Sequence, residues 1–187
     1  MNLPPGPDYF DEGYYSKVGK DPHQILFRAA WLHHTFSPRK VLEIGCGEGL
    51  TTATLNEMGI DSVGLDISRW AAGLHPNSQL VADDANIPFR DKVFDLVYGF
   101  DIMEHNMEQF TEQIIAECAR VCTANAFFNI ALLGTTDNIV DETHFTLKPR
   151  SWWVEKFSPH FEVMENRSSC IGLTIRSAQF VLKVRKN

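Results

Sequence analysis

The chain has 187 residues, with 44% hydrophobic and 22% charged side chains, which is the composition of a folded globular protein. This composition excludes a disordered chain, a coiled-coil rod and a collagen-like repeat. Lys and Arg number 17 against 24 Asp and Glu, a formal charge of −7, so we do not expect bulk electrostatic binding of nucleic acid. The length alone predicts one domain.

The sequence predicts neither a membrane span nor a secretion signal. No apolar run approaches the roughly 20 residues that a transmembrane helix needs, and residues 1–7 lack the charged and apolar regions of a signal peptide. Cys118 and Cys122 lie four residues apart on a predicted helix, and we interpret them as buried free thiols rather than a metal or redox pair. We therefore expect a cytoplasmic protein without a bound metal.

Short apolar runs alternate with amphipathic segments, which is typical of a parallel sheet flanked by helices. The predicted helices cover residues 25–36, 50–58, 68–74, 107–121 and a segment that opens at Pro149. The predicted strands cover residues 41–44, 62–66, 79–82, 93–98, 126–133, 161–165 and 178–184. No linker divides the chain, so we predict a single domain over residues 1–187. Residues 1–38 would form an N-terminal lid segment and helix, and residues 40–187 the core.

The strongest local signal is a glycine loop that directly follows the first predicted strand. Gly45, Gly47 and Gly49 alternate with other residues, and a helix begins at once. Glycine permits unusual backbone angles and lets a ligand approach the main chain, while the N-terminus of a helix offers unpaired N–H groups. The spacing differs from the Gly-x-Gly-x-x-Gly of dinucleotide-binding folds. Asp66 ends the second strand, where an acid can accept both hydroxyls of a ribose.

Together these residues resemble the ordered motifs of class I S-adenosylmethionine-dependent methyltransferases. The resemblance covers residues 40–165 approximately, and further motifs support it. These are Asp83-Asp84-Ala85-Asn86-Ile87-Pro88-Phe89, Phe94-Asp95-Leu96-Val97, Asp101-Ile102-Met103-Glu104-His105 and the stretch from His144-Phe145-Thr146 to Trp152-Trp153. S-adenosylmethionine is the cofactor that this resemblance implies.

The implied fold is α/β, a Rossmann-like αβα sandwich. Its seven-stranded, mostly parallel sheet would have the order 3-2-1-4-5-7-6, with the last strand antiparallel. Of the adjacent acids Asp83 and Asp84, the second would take the adenine amino group, because Ala85, whose N–H would meet the ring edge, follows it in the matching pattern. The implied cofactor-binding residues are Glu43, Gly45, Cys46, Gly47, Asp66, Ile67, Asp84, Ala85 and Phe100.

The resemblance also implies roles for the other cofactor-binding positions. The backbone of residues 45–47 would pack against the amino-acid portion of the cofactor, with Glu43 ordering that loop. Asp66 would bind the ribose and Ile67 would lie against the adenine. The carbonyl group of Phe100 would face the methionine ammonium.

Three residues are candidates for the acceptor side of the reaction. His144 is the first candidate for a general base, because it lies in the long loop after the fifth predicted strand, and Asp141 could orient it. His105 is the second candidate, and Asp101 would border the methyl donor with it. Each histidine could equally have a structural role. The aromatic residues Tyr9, Phe10, Tyr14 and Tyr15 could form a lid over the cofactor or a strap on the sheet edge.

We therefore expect a methyltransferase that moves a methyl group to an oxygen or nitrogen of a small-molecule acceptor. Methylation of a peptide or a carrier-bound substrate stays open, as does a non-catalytic cofactor-binding subunit. An NAD-dependent oxidoreductase is less favoured, because the glycine spacing and the motifs around Asp84 and Asp95 count against it. The sequence also leaves a homodimer open.

Overall fold

The computed structural model describes residues 6–17, 20–74, 79–134, 142–164 and 177–185. Its helices are α1 (Glu12–Tyr15), α2 (Pro22–Phe36), α3 (Leu50–Glu57), α4 (Arg69–Ala72), α5 (Thr111–Val121) and α6 (Arg150–Phe157). Its strands are β1 (Lys40–Ile44), β2 (Asp61–Asp66), β3 (Gln79–Val81), β4 (Phe94–Phe100), β5 (Cys122–Ala131), β6 (Phe161–Met164) and β7 (Ser177–Val184). Two short 3₁₀ turns, Met103–His105 and Glu108–Phe110, lie between β4 and α5.

The seven strands form one sheet in the order β3-β2-β1-β4-β5-β7-β6. Strands β1 to β5 pair in parallel, and β7 pairs antiparallel with both β5 and β6. This confirms the predicted strand order and the antiparallel last strand. The strand order reverses between β1 and β4, and ligands of open α/β sheets bind beyond the carboxyl ends of the strands at such a reversal.

The two faces of the sheet carry separate apolar clusters, because side chains alternate along each strand. Val41 and Leu96 pack on one face with Leu32 of α2 and Leu55 of α3. Leu42, Val97 and Phe128 pack on the other face against α5 and α6, whose buried aromatic residues are Trp153 and Phe157. Helices therefore cover both faces of the sheet, which leaves the ends of the strands accessible.

Some element boundaries differ from the sequence prediction. Helix α2 begins at Pro22 rather than residue 25, because the Asp21 side chain accepts a hydrogen bond from the His23 N–H. Helix α5 begins at Thr111 rather than residue 107, since the preceding residues form a 3₁₀ turn. Cys118 and Cys122 are buried free thiols, as predicted, but the prediction that they share a helix was wrong, because α5 ends at Val121 and Cys122 begins β5. Among the described helices, none has the length and apolar character that spanning a membrane requires.

Candidate active site

The glycine loop has the backbone geometry that its sequence predicts. Gly45, Gly47 and Gly49 have φ angles of 61°, 52° and 71°, in the left-handed region that favours glycine. A Cβ atom on Gly45 would lie 2.3 Å from Cγ1 of Ile102, so no side chain fits there. The Gln79 amide at the start of β3 donates to the carbonyl oxygen of Gly47 over 2.7 Å. The loop is thus held as a close-fitting turn with exposed backbone on its cleft side.

Two buried carboxylates lie next to the glycine loop. Glu43 in β1 accepts a 3.1 Å hydrogen bond from the Thr52 N–H and another from the Thr52 hydroxyl, which ties β1 to α3. Asp66 at the end of β2 accepts from the N–H groups of Gly47 and Ser68 over 2.7 Å and 2.8 Å. Burial raises the pKa of Glu43 to about 7 and, against these hydrogen bonds, also raises the pKa of Asp66.

The N-terminal aromatic residues lie against the same end of the sheet. The Tyr15 ring stacks on Trp70 with a centroid distance of 5.6 Å, and its hydroxyl is 3.5 Å from Asp66 Oδ1. The Ser68 hydroxyl donates to the Phe10 carbonyl oxygen over 2.5 Å. Phe10, Tyr14 and Tyr15 therefore form part of the wall beside the glycine loop. The placement fits a lid, and the lid role stays a prediction.

A cleft of two connected compartments opens at the strand reversal. The larger has a volume of about 520 Å³ and the smaller about 180 Å³, and both are lined by Gly45, Asp66, Ile67 and His105. Eleven of the twelve predicted site residues line one compartment or both: Glu43, Gly45, Cys46, Gly47, Asp66, Ile67, Asp84, Phe100, Asp101, His105 and His144. The exception is Ala85. The chain folding therefore brings together residues that are spread over a hundred positions of sequence.

The smaller compartment contains the paired acids. Asp84 is buried, and burial together with the charges of Asp66 and Asp83 raises its pKa to about 8. Asp83 instead accepts a 2.8 Å hydrogen bond from the N–H of Ala85. The predicted contact between that N–H and an adenine ring therefore requires this bond to open, and it stays a prediction. Ile67 is 38% exposed, which leaves an apolar side chain on the wall of the cleft.

The larger compartment contains an arginine that the sequence analysis missed. Arg28 of α2 lies over the Phe100 ring at 4.3 Å and reaches Asp101 Oδ2 at 3.4 Å. Its Nε is buried and has no hydrogen-bond partner among the described residues. Asp101 has a positive φ of 52° and accepts a 2.6 Å hydrogen bond from the Asn129 amide. The sequence did contain a signal for this residue, because Arg28 is a charged residue within the apolar stripe of α2 that contains Ile25 and Leu32.

The two candidate histidines are in direct contact. The rings of His105 and His144 are 4.6 Å apart between centroids, at an angle of 71°. Nδ1 of His105 lies 3.1 Å from the carbonyl oxygen and 2.8 Å from the hydroxyl of Thr143. Glu104, which the sequence analysis also left without a role, is fully buried beside them. Asp141, the predicted partner of His144, lies outside the described residues.

Residues 42–130 match the family model described as a methyltransferase domain. A probable S-adenosylmethionine-dependent methyltransferase of Mycolicibacterium smegmatis is 28% identical over 131 residues, which cover 67% of this chain and 48% of that protein. Norajmaline N-methyltransferase of Rauvolfia serpentina is 30% identical over 124 residues, which cover 60% of this chain and 41% of the enzyme. The chain thus spans less than half the length of these two relatives.

Solved structures share the whole fold at low sequence identity. A protein from Pyrococcus horikoshii aligns with a TM-score of 0.73 and 19% identity, over 94% of this chain and 93% of its own. Magnesium protoporphyrin IX methyltransferase from Synechocystis, solved with bound SAH, aligns with a TM-score of 0.72 and 15% identity, over 96% and 97%. These alignments show that the chain shares its fold with these two proteins.

Proposed function

Because residues 42–130 match the methyltransferase-domain model, we propose that the chain is a class I S-adenosylmethionine-dependent methyltransferase that transfers a methyl group to an oxygen or nitrogen of a small-molecule acceptor. The observation that carries this proposal is the cleft at the strand reversal. There the left-handed glycine loop of β1 and the buried Asp66 of β2 meet in one wall, and a hydrogen bond from Gly47 to Asp66 joins them.

The residues of the cleft fit S-adenosylmethionine in volume, charge and backbone access. The larger compartment, at about 520 Å³, falls within the range of about 300–1,000 Å³ that is common for ligand pockets. Glu43, Asp66 and Asp84 place acidic groups along the cleft, which suits a ligand with sulfonium and ammonium charges. The Gly45 turn gives a ligand access to the main chain.

In the proposed binding mode each end of the cleft holds a different part of the cofactor. Asp66 binds the ribose hydroxyls, Ile67 lies against the adenine and Asp84 accepts from its amino group. The backbone at residues 45–47 and the Phe100 carbonyl group hold the amino-acid portion. We add Arg28, which lines the larger compartment and whose buried Nε has no hydrogen-bond partner within the described part of the chain, as the group that pairs with the cofactor carboxylate.

Bound S-adenosylmethionine supplies an electrophilic methyl group, so the chain must mainly align the acceptor and exclude water. In this proposal the aromatic segment around Tyr15, which lines the larger compartment, covers the cofactor, and Asp101 borders the space in front of it. His144 lines the same compartment, and in this proposal it accepts the proton of a hydroxyl acceptor. A nitrogen acceptor needs only to be neutral when it attacks.

The names of the curated relatives support a small-molecule acceptor, but they do not indicate whether the methyl group goes to oxygen or to nitrogen. They include a norajmaline N-methyltransferase and a ubiquinone biosynthesis O-methyltransferase, so similar sequences carry names for both chemistries. A cleft with two compartments also suits a small molecule better than an extended chain.

The proposal is tested by turnover. We expect the protein to form S-adenosylhomocysteine when it is given S-adenosylmethionine and a panel of phenols, amines and a peptide, measured by mass spectrometry. Asp66→Ala should abolish most of this turnover. Asp61→Ala is the matched control, because Asp61 opens the same strand with its side chain 60% exposed, and it should be as active as the unaltered protein. Cofactor binding without turnover on the whole panel would instead indicate a non-catalytic subunit.

A further inference from the structure

We propose that Glu104, His105 and His144 form a binding site for a divalent transition-metal ion of the Zn²⁺ or Fe²⁺ type at the acceptor end of the cleft. One ligand atom from each of the three side chains lies within 4.8 Å of the other two. Donor atoms around a single such ion are about 3–4 Å apart, given metal–ligand distances near 2.1 Å. A small rotation of the partly exposed histidines therefore closes the site.

The chemistry of the ligand set is specific. Two imidazoles and one carboxylate are the ligands of several catalytic zinc sites and of the facial triad that holds non-haem Fe²⁺. Mg²⁺ and Ca²⁺ prefer sites made of oxygen ligands, so this set disfavours them. The sequence spacing predicted no metal site, because His144 joins the other two residues only through the fold.

Neighbouring groups orient the ligands as they do in known metal sites. The carbonyl oxygen of Thr143, 3.1 Å from Nδ1 of His105, can only accept, which favours a proton on Nδ1 and leaves the Nε2 lone pair to a metal. One carboxylate oxygen of Glu104 accepts a 2.8 Å hydrogen bond from the N–H of Ala131. These contacts fix one histidine and the carboxylate before any ion binds.

The surrounding backbone holds the two ligand segments together. The N–H groups of Phe145 and Thr146 donate to the carbonyl oxygen of Glu104 over 2.9 Å and 3.0 Å. The hydroxyl of Thr146 donates to the carbonyl oxygen of Asn106 over 2.7 Å. The segment that contains His144 is thus anchored to the 3₁₀ turn that contains Glu104 and His105.

The position of the site suggests what it does. His105 and His144 line the larger compartment while Glu104 lies behind them, so the open coordination positions face the cleft. Three protein ligands with open positions are typical of catalytic rather than structural sites. The acceptor class that fits is a phenol, catechol or enol, since a metal ion lowers the pKa of a bound hydroxyl. This assignment of the acceptor rests on the proposed methyltransferase function.

The transfer step balances for such an acceptor. The hydroxyl proton leaves to solvent, the acceptor oxygen forms a bond to the methyl carbon, and the bond between that carbon and sulfur breaks. The electron pair of the broken bond stays on sulfur, which becomes a neutral thioether. In this arrangement His144 is a metal ligand rather than the base that takes the proton.

Metal binding is measured on the full chain after treatment with a chelator. Titration with cobalt chloride should give one ion per chain and the visible absorption of Co²⁺ bound to nitrogen ligands, and zinc chloride should displace it. His105→Ala and His144→Ala should each weaken Co²⁺ binding at least 100-fold, roughly the upper effect of losing an outer-shell partner. Glu104→Gln should also weaken binding, and circular dichroism checks that each variant is folded.

The control is a double variant, His33→Ala with His34→Ala, because both histidines are exposed on α2 and neither lines the cleft. It should bind Co²⁺ like the unaltered chain. Loss of binding in this control, or unchanged binding in folded His105→Ala and His144→Ala, overturns the proposal. Binding of S-adenosylmethionine is titrated separately in the metal-free protein, so a failure of the methyltransferase proposal is distinguished from a failure of the metal site.

Discussion

The two ends of the cleft are built in different ways. The cofactor end consists of backbone turns and of carboxylates such as Asp66, which accepts hydrogen bonds from the main chain of the adjacent loop. The acceptor end consists of side chains from distant segments, with Asp101, His105 and His144 meeting in one wall. The first end is therefore encoded by short local motifs, and the second by the tertiary fold. Substitutions at the cofactor end should therefore weaken cofactor binding, whereas substitutions at the acceptor end should lower turnover.

Gly45→Ala should have the largest effect, and it acts on the cofactor end. The new Cβ atom would lie 2.3 Å from Ile102, at a φ of 61°. We expect the free energy of unfolding to fall by about 2–4 kcal/mol and cofactor binding to be lost, from overpacking and backbone strain together. Gly59→Ala is the matched control, since Gly59 has a φ of 83° and no atom within 4 Å of the added Cβ. Equal urea midpoints for the two variants would contradict the account.

His144→Ala tests the acceptor end. We expect kcat to fall by about 100-fold or more, because general-base assistance is worth about 10²–10⁴-fold, and loss of a metal ligand would act in the same direction. The dissociation constant of S-adenosylhomocysteine should stay within about twofold, since no cofactor contact depends on this residue. A variant that loses affinity and keeps its kcat would place His144 at the wrong end of the cleft.

Arg28→Ala tests the group that bridges the two ends. A hydrogen bond to a charged group contributes about 1.5–3 kcal/mol, so the affinity for S-adenosylmethionine should fall about tenfold or more. Adenosine, which lacks the carboxylate, should bind both proteins equally in the same calorimetric assay. Arg69→Ala, at an exposed position of α4, is the control and should change neither affinity. An equal loss for adenosine would contradict the pairing of Arg28 with the carboxylate.

The buried acids of the cofactor end predict a pH dependence of stability. The folded-state pKa values of Glu43 and Asp84 are about 7 and about 8, which exceed those of unfolded acids. At pH values between the unfolded and the folded pKa, the folded state therefore binds more protons than the unfolded state. The free energy of unfolding should therefore fall as pH rises from about 5 to 8, by at most about 1.4 kcal/mol per pH unit for each group. Asp84→Asn should flatten this slope in urea titrations, whereas Asp61→Asn should leave it unchanged. A slope that Asp84→Asn does not alter would show that Asp84 ionises normally.

The difference between the two ends of the cleft also explains which features of the structure the sequence predicted and which it did not. The glycine loop and Asp66 were predictable because each belongs to a strand–loop–helix unit of contiguous residues, whereas the strand order came from the family resemblance. Arg28 was not, because its role depends on how α2 packs beside β4. Glu104 was quoted within a motif, but its proximity to His144 depends on the return of the chain after β5. Element ends such as the start of α5 also escaped prediction, since a 3₁₀ turn and a helix share side-chain spacing over so few residues.

The central claim is that the cleft at the strand reversal binds S-adenosylmethionine through Asp66, and calorimetric titration of the cofactor tests it most directly. We predict one site per chain. Asp66→Ala should weaken affinity by about 100-fold, because two hydrogen bonds from ribose hydroxyls to a carboxylate are lost, while Asp61→Ala should bind as the unaltered chain does. Absence of binding by the unaltered protein, or equal affinity of a folded Asp66→Ala variant, would contradict the claim.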